Sequence, residues 1–76
     1  MDTGWCYGTM DGFQYEAKVY GHPSPFGINN GRVSKLYVYG KRGKILACYE
    51  RGWSGRENGP IGKLSKIVNK IVQEYP

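Results

Sequence analysis

Near the end of the chain, Ile61, Leu64, Ile67, Val68, Ile71, Val72 and Tyr75 recur at spacings of three and four residues. At about 100° per residue, those spacings gather the apolar side chains into one stripe along a helix. A short helix of this kind owes its stability to whatever its stripe is packed against, not to its own propensity. No other stretch repeats the pattern, so the rest of the chain has to supply that surface, and it reads as strands. The helix is predicted over residues 60–75. Pro60 suits its first turn, where a missing N–H has no intrahelical acceptor to lose, and Asn58 or Gly59 serves as the cap.

Residues 4–10 and 13–20 alternate in polarity and flank Asp11-Gly12, a pair that favours the positive φ of a two-residue hairpin turn. With Met10 opposite Phe13, Gly8 faces Tyr15, Cys6 faces Ala17, and Val19 continues the apolar side. Trp5, Tyr7, Thr9, Gln14, Glu16, Lys18 and Tyr20 then share the other side. The following segment, GHPSPFGINNG, loses periodicity: Pro23 and Pro25 hold the residues before them extended, and Asn30-Gly31 favours a left-handed turn. Phe26 and Ile28 are the apolar residues within it. They are expected to plug the end of the core, although loops of this length also carry function.

Residues 32–39 and 44–50 form a second hairpin around Gly40-Lys41-Arg42-Gly43. Treated as a four-residue loop, this turn sets Val38 opposite Ile45 and Leu36 opposite Ala47, with Tyr49 on the same, inward side. Lys35, Tyr37, Tyr39, Leu46, Cys48 and Glu50 face outward. Cys6 and Cys48 therefore point to different faces and cannot be bridged. A last irregular stretch, RGWSGRENG, leads into the helix. In a meander it shares one end of the sheet with the proline loop, so His22, Phe26, Arg51, Trp53 and Arg56 are expected near one another, with Trp53 either a lid on the core or a contact residue. The expected fold is α+β: one domain, a four-stranded antiparallel β-meander with a C-terminal helix packed across one face.

At 76 residues the chain hides only about 60% of the surface exposed on unfolding, so it has few apolar groups to spare. No apolar run approaches the about 20 residues that span a bilayer, and the chain opens without a secretory signal. With two cysteines and no disulfide framework, a reduced, cytoplasmic chain is expected. Catalysis by a nucleophile needs a base and an orienting group within reach, and the one histidine, His22, lies beside a proline in a loop. One His and two distant Cys match no metal spacing. Gly59-Pro60-Ile61-Gly62-Lys63 is not a phosphate-binding loop, because Glu57 stands where a glycine is needed and Leu64 where a magnesium-binding hydroxyl is needed. No enzyme, cofactor or metal site is expected.

Two surfaces remain as binding candidates. The chain carries eleven Lys and Arg against six Asp and Glu, a net charge of +5 that serves solubility first and attracts polyanions second. Lys63, Lys66 and Lys70 fall along one flank of the predicted helix, at spacings where neighbouring lysines repel. With the loop arginines they make nucleic acid the alternative partner, in a shape analogy with double-stranded RNA-binding domains that stops at the N-terminal helix this chain lacks. The helix covers only one side of the sheet, leaving Trp5, Tyr7, Tyr20, Tyr37, Tyr39 and Leu46 on the other, interleaved with Lys18 and Lys35. Tyr and Trp suit protein interfaces, and the RNA-recognition signature of base-stacking sheets is missing.

The runs YEAKVY, PSPFGINNGRVSKLYVY and YERGW resemble a family of small domains of unknown function from bacteria and their phages. The resemblance covers Trp5 to Trp53 and is most specific from Phe26-Gly27-Ile28-Asn29 through Ser34-Lys35-Leu36. It implies a compact αβ domain and a bacterial or prophage origin, transfers no functional residue, and leaves out the helix. The expectation is thus a small non-enzymatic module that binds a macromolecule, either a protein or a second copy of itself. It does so through the sheet face of Trp5, Tyr7, Tyr20, Lys35, Tyr37 and Tyr39, or through the loop end of Phe26, Arg51, Trp53 and Arg56.

Overall fold

The computed structural model describes residues 2–55 and 59–76. Four strands, β1 (Asp2–Met10), β2 (Phe13–Tyr20), β3 (Val33–Tyr39) and β4 (Ile45–Glu50), pair antiparallel in the order β1-β2-β3-β4, and helix α1 spans Gly62–Glu74. This is the expected α+β meander with its C-terminal helix. Asp11 (φ 51°) and Gly12 (φ 85°) both adopt the left-handed region, and the first hairpin has the anticipated register, with Met10 opposite Phe13, Gly8 opposite Tyr15 and Cys6 opposite Ala17.

The core lies between one face of the sheet and the helix. Tyr15, Ala17, Val19, Val33, Leu36, Val38, Ala47 and Tyr49 bury against Ile67, Val68, Ile71 and Val72, with Ile28 closing one end. Leu64, Tyr75, Cys6, Met10, Phe13 and Trp53 fill its margins. In β3 the strict alternation breaks where Val33 and Ser34 are both buried, at a bulge between the Lys18 and Val19 pairs. The Ser34 hydroxyl donates to the Lys18 carbonyl at 3.0 Å, so the one buried polar side chain at the bulge is hydrogen-bonded.

The second hairpin departs from its predicted register. Leu36 pairs with Tyr49 and Val38 with Ala47, a bulge follows, and Tyr39 meets Ile45. Lys41–Gly43 forms a single 3-10 turn with Arg42 (φ 61°) and Gly43 (φ 73°) left-handed, and Gly40 N–H bonds to the Lys44 carbonyl at 2.7 Å. The loop is therefore longer than supposed. A slip of two residues preserves the faces of Leu36, Val38, Ala47 and Tyr49. Ile45, placed in the core on the sequence, instead lies beside the bulge and is 54% exposed.

The helix also starts later than predicted. Gly59 (φ 84°) and Gly62 (φ 65°) bracket Pro60 and Ile61, and Ile61 is an extended N-cap without a side-chain hydrogen bond. Pro60 thus precedes the first turn, and Ile61 leaves the apolar stripe at 66% exposure. Asn58, the other proposed cap, and Glu57 lie outside the described residues. The proline loop contains a short 3-10 turn, Ile28–Asn30. Of its two apolar residues only Ile28 plugs the core, and Phe26 is 62% exposed.

Gly8 has a packing role that strand propensity would not suggest. A Cβ added there would sit 2.9 Å from the Tyr15 hydroxyl oxygen and 3.0 Å from the adjoining ring carbon, and that hydroxyl shares a hydrogen bond of 3.1 Å with Tyr75. In most strands Gly→Ala stabilises. Here Gly8→Ala is expected to cost about 1–3 kcal/mol in urea denaturation because the buried ring must move, and unchanged or raised stability would refute this packing role.

Candidate functional site

The sheet face opposite the helix is uncovered and aromatic. Trp5 of β1 and Tyr37 of β3 stack at 6.0 Å between ring centroids with 20° between planes, and Tyr39 continues the row at 6.5 Å from Tyr37. The Lys18 ammonium lies 6.0 Å from the Trp5 ring, a cation–π arrangement. Trp5 is 40% and Tyr7 69% exposed, while Tyr20, Tyr37, Tyr39 and Lys35 are half-buried. All six sheet-face candidates are thus side chains of one surface.

Two carboxylates hold this surface in place. The Tyr37 hydroxyl donates to Glu50 and the Tyr39 hydroxyl donates to Glu16. The Glu50 bond is the main reason the Tyr37 phenol is pushed up to about 12, and the Glu16 bond is likewise the main cause of the upward shift at Tyr39. Ionising either phenol would set two negative charges against each other. The first-hairpin register placed Glu16 across from Tyr7, but no register between β2 and β3 was drawn from the sequence, so its place beside Tyr37 and its bond to Tyr39 were missed. Glu50 was hidden by the register error, since only the observed register sets it opposite Lys35 and diagonal to Tyr37.

The loop end is only partly assembled. Tyr49 joins it: its hydroxyl donates to the Phe26 carbonyl at 3.0 Å, and its ring meets Trp53 edge-on at 4.9 Å. Trp53 is half-buried against the core, so it acts as the lid. Arg51 (φ 66°) and His22 are exposed. Arg56 lies outside the described residues. Beside Trp53, Leu46 packs against Gly40 and borders a groove of about 390 Å³ that also touches Ile61 and Leu64.

All three helix lysines are exposed, and two of them have neighbours at the hairpin end. Lys70 pairs with Asp11 in the first hairpin turn at 2.8 Å, and the Lys63 ammonium sits 5.8 Å from the Phe13 ring. Lys66 is exposed. Cys6 and Cys48 are free thiols on strands at opposite edges of the sheet. No helix among the described residues is long and apolar enough to cross a membrane.

A family model described as Domain of unknown function (DUF7678) matches residues 4–76. The chain belongs to this family. The DUF7678 match takes in α1, which the sequence resemblance left out, so it spans both the helix and the sheet that the helix covers. No curated protein and no solved structure matches the chain.

The tyrosine–carboxylate bonds make a pH prediction. Each raised phenol stabilises the fold fully below pH 10, the ordinary tyrosine value, and the contribution is lost as pH climbs through the raised value, about 12 for Tyr37. Tyrosinate absorbance is expected to show Tyr37 ionising near pH 12 and falling back towards 10 in Glu50→Gln. An unchanged titration in that variant would mean the bond does not hold the ring.

Proposed function

We propose that this DUF7678 domain is a non-enzymatic binding module whose partner is a protein, engaged through the open sheet face. The observation that supports this reading is the ordered row of Trp5, Tyr37 and Tyr39 on an uncovered face, beside Tyr7 at 69% exposure. Exposed apolar surface costs solubility, and a small domain that places Trp and Tyr there gains contact area at low entropic cost on binding. Glu16 and Glu50 reduce that cost further by fixing two rings before any partner arrives.

A second copy of the chain is one such partner. The face carries both signs, Lys18 and Lys35 beside Glu16 and Glu50, so it is not self-repelling in a two-fold arrangement that sets unlike charges across the axis. The loop end is the lesser surface, since Trp53 is occupied by Tyr49. Nucleic-acid binding has weaker support, because Lys70 is paired with Asp11 and the helix lies on the side away from the aromatic row. Free thiols at separate sheet edges suit a reducing cytoplasm.

Light scattering after size exclusion, with recovery of bound protein by the immobilised chain, tests this reading. A dimer or a captured protein is expected for the wild-type chain, and Trp5→Ala or Tyr37→Ala is expected to weaken either by at least about tenfold, as for a central aromatic contact. A strict monomer that recovers no protein through this face would contradict it, and binding to RNA or DNA that falls steeply with salt would favour the nucleic-acid alternative.

A further inference from the structure

The open face contains a groove of about 450 Å³ whose lining differs from the rest of the surface. Tyr7 and Tyr39 form its walls, Glu16 stands between them, and Thr9 and Gln14 border one end. Its construction follows from the strand register: Glu16 of β2 lies directly across from Tyr7 in β1, and Gln14 lies across from both Thr9 and Tyr39. The Tyr39 hydroxyl donates to one carboxylate oxygen of Glu16, which orients the carboxylate and leaves its second oxygen for another donor. Among the described residues Glu16 forms no ion pair, and no cationic side chain lines the groove. Lys18, its nearest basic neighbour along β2, lies over Trp5 instead.

We infer that this groove receives an arginine side chain of the bound protein, which deepens the protein-binding reading and rests on it. A guanidinium is planar and weakly hydrated, so it stacks on a tyrosine face while its fork of N–H groups reaches a carboxylate. Tyr7 supplies the accessible ring, the free Glu16 oxygen takes a charge-assisted bond, and the amide oxygen of Gln14 and the hydroxyl of Thr9 accept the remaining donors. A lysine ammonium pairs with Glu16 but has no plane to stack. An acidic side chain is repelled by the same carboxylate.

Amide chemical shifts of the ¹⁵N-labelled full chain, titrated with blocked Gly-Arg-Gly, Gly-Lys-Gly and Gly-Glu-Gly peptides, provide the test. The arginine peptide is expected to perturb Tyr7, Gln14, Glu16 and Tyr39 and to bind about tenfold more tightly than the lysine peptide, while the glutamate peptide leaves them unmoved. Glu16→Gln, and independently Tyr7→Leu at an exposed position that does not bear on folding, are each expected to weaken it by about tenfold. No perturbation at the groove, equal binding of the lysine peptide, or undiminished binding in both variants would overturn the inference. If arginine is ignored while Trp5→Ala still abolishes capture of a protein, this inference falls alone. If arginine binds but no protein or second copy is ever held by the face, the protein-binding reading falls.

Discussion

Burial of one apolar helix stripe on one side of a four-stranded sheet is the interaction on which the rest of this structure depends. Ile67 and Ile71 are almost wholly buried, and so are Leu36, Val38 and Val33 beneath them. Neither element has an alternative source of stability. A 13-residue helix is marginal in water on its own, and a small sheet needs one covered face to stand. The contact therefore decides which side of every strand is inside. Lesser features adjust to it: Gly8 makes room for Tyr15, Ser34 closes a bulge with its own hydroxyl, and Tyr75 ties the end of the helix region to β2 through the Tyr15 hydroxyl.

The same packing leaves the opposite face without cover, and that face is neither random nor loose. Its contacting rings come from β1 and β3, and two of its phenols are held by carboxylates that the core does not need. A solvated sheet face would be served as well by Thr, Lys and Glu alone. Rings oriented in advance lose less freedom on contact, and the proposed recognition role of this surface rests on that property. By contrast, two of the three helix lysines have intramolecular neighbours at the hairpin end, where Lys70 pairs with Asp11 and Lys63 lies near the Phe13 ring.

Much of this was legible in the sequence because the governing signals are local. Asp11-Gly12 determined the turn, the turn determined the register of β1 and β2, and period-two alternation then assigned both faces of that hairpin. The three-and-four spacing of Ile67, Val68, Ile71 and Val72 located the helix and its buried side. What escaped was set by backbone conformations with little sequence signature. A left-handed Arg42 lengthened the second turn and moved the pairing of β3 with β4 by two residues, which concealed the Tyr37–Glu50 bond and exposed Ile45. Left-handed Gly59 and Gly62 delayed the helix and freed Ile61. Side-chain pairings between distant positions, such as Lys70 with Asp11, depend on the relative placement of helix and hairpin, which no spacing rule supplies.

Amide hydrogen exchange of an Ile71→Asp chain tests the central claim most directly, because it places an unpaired carboxylate in the middle of the helix–sheet contact. If the helix is what covers the inner face, protection is lost together in α1 and in β2 and β3. Native protection persisting in the central strands while the helix alone opens would contradict the account.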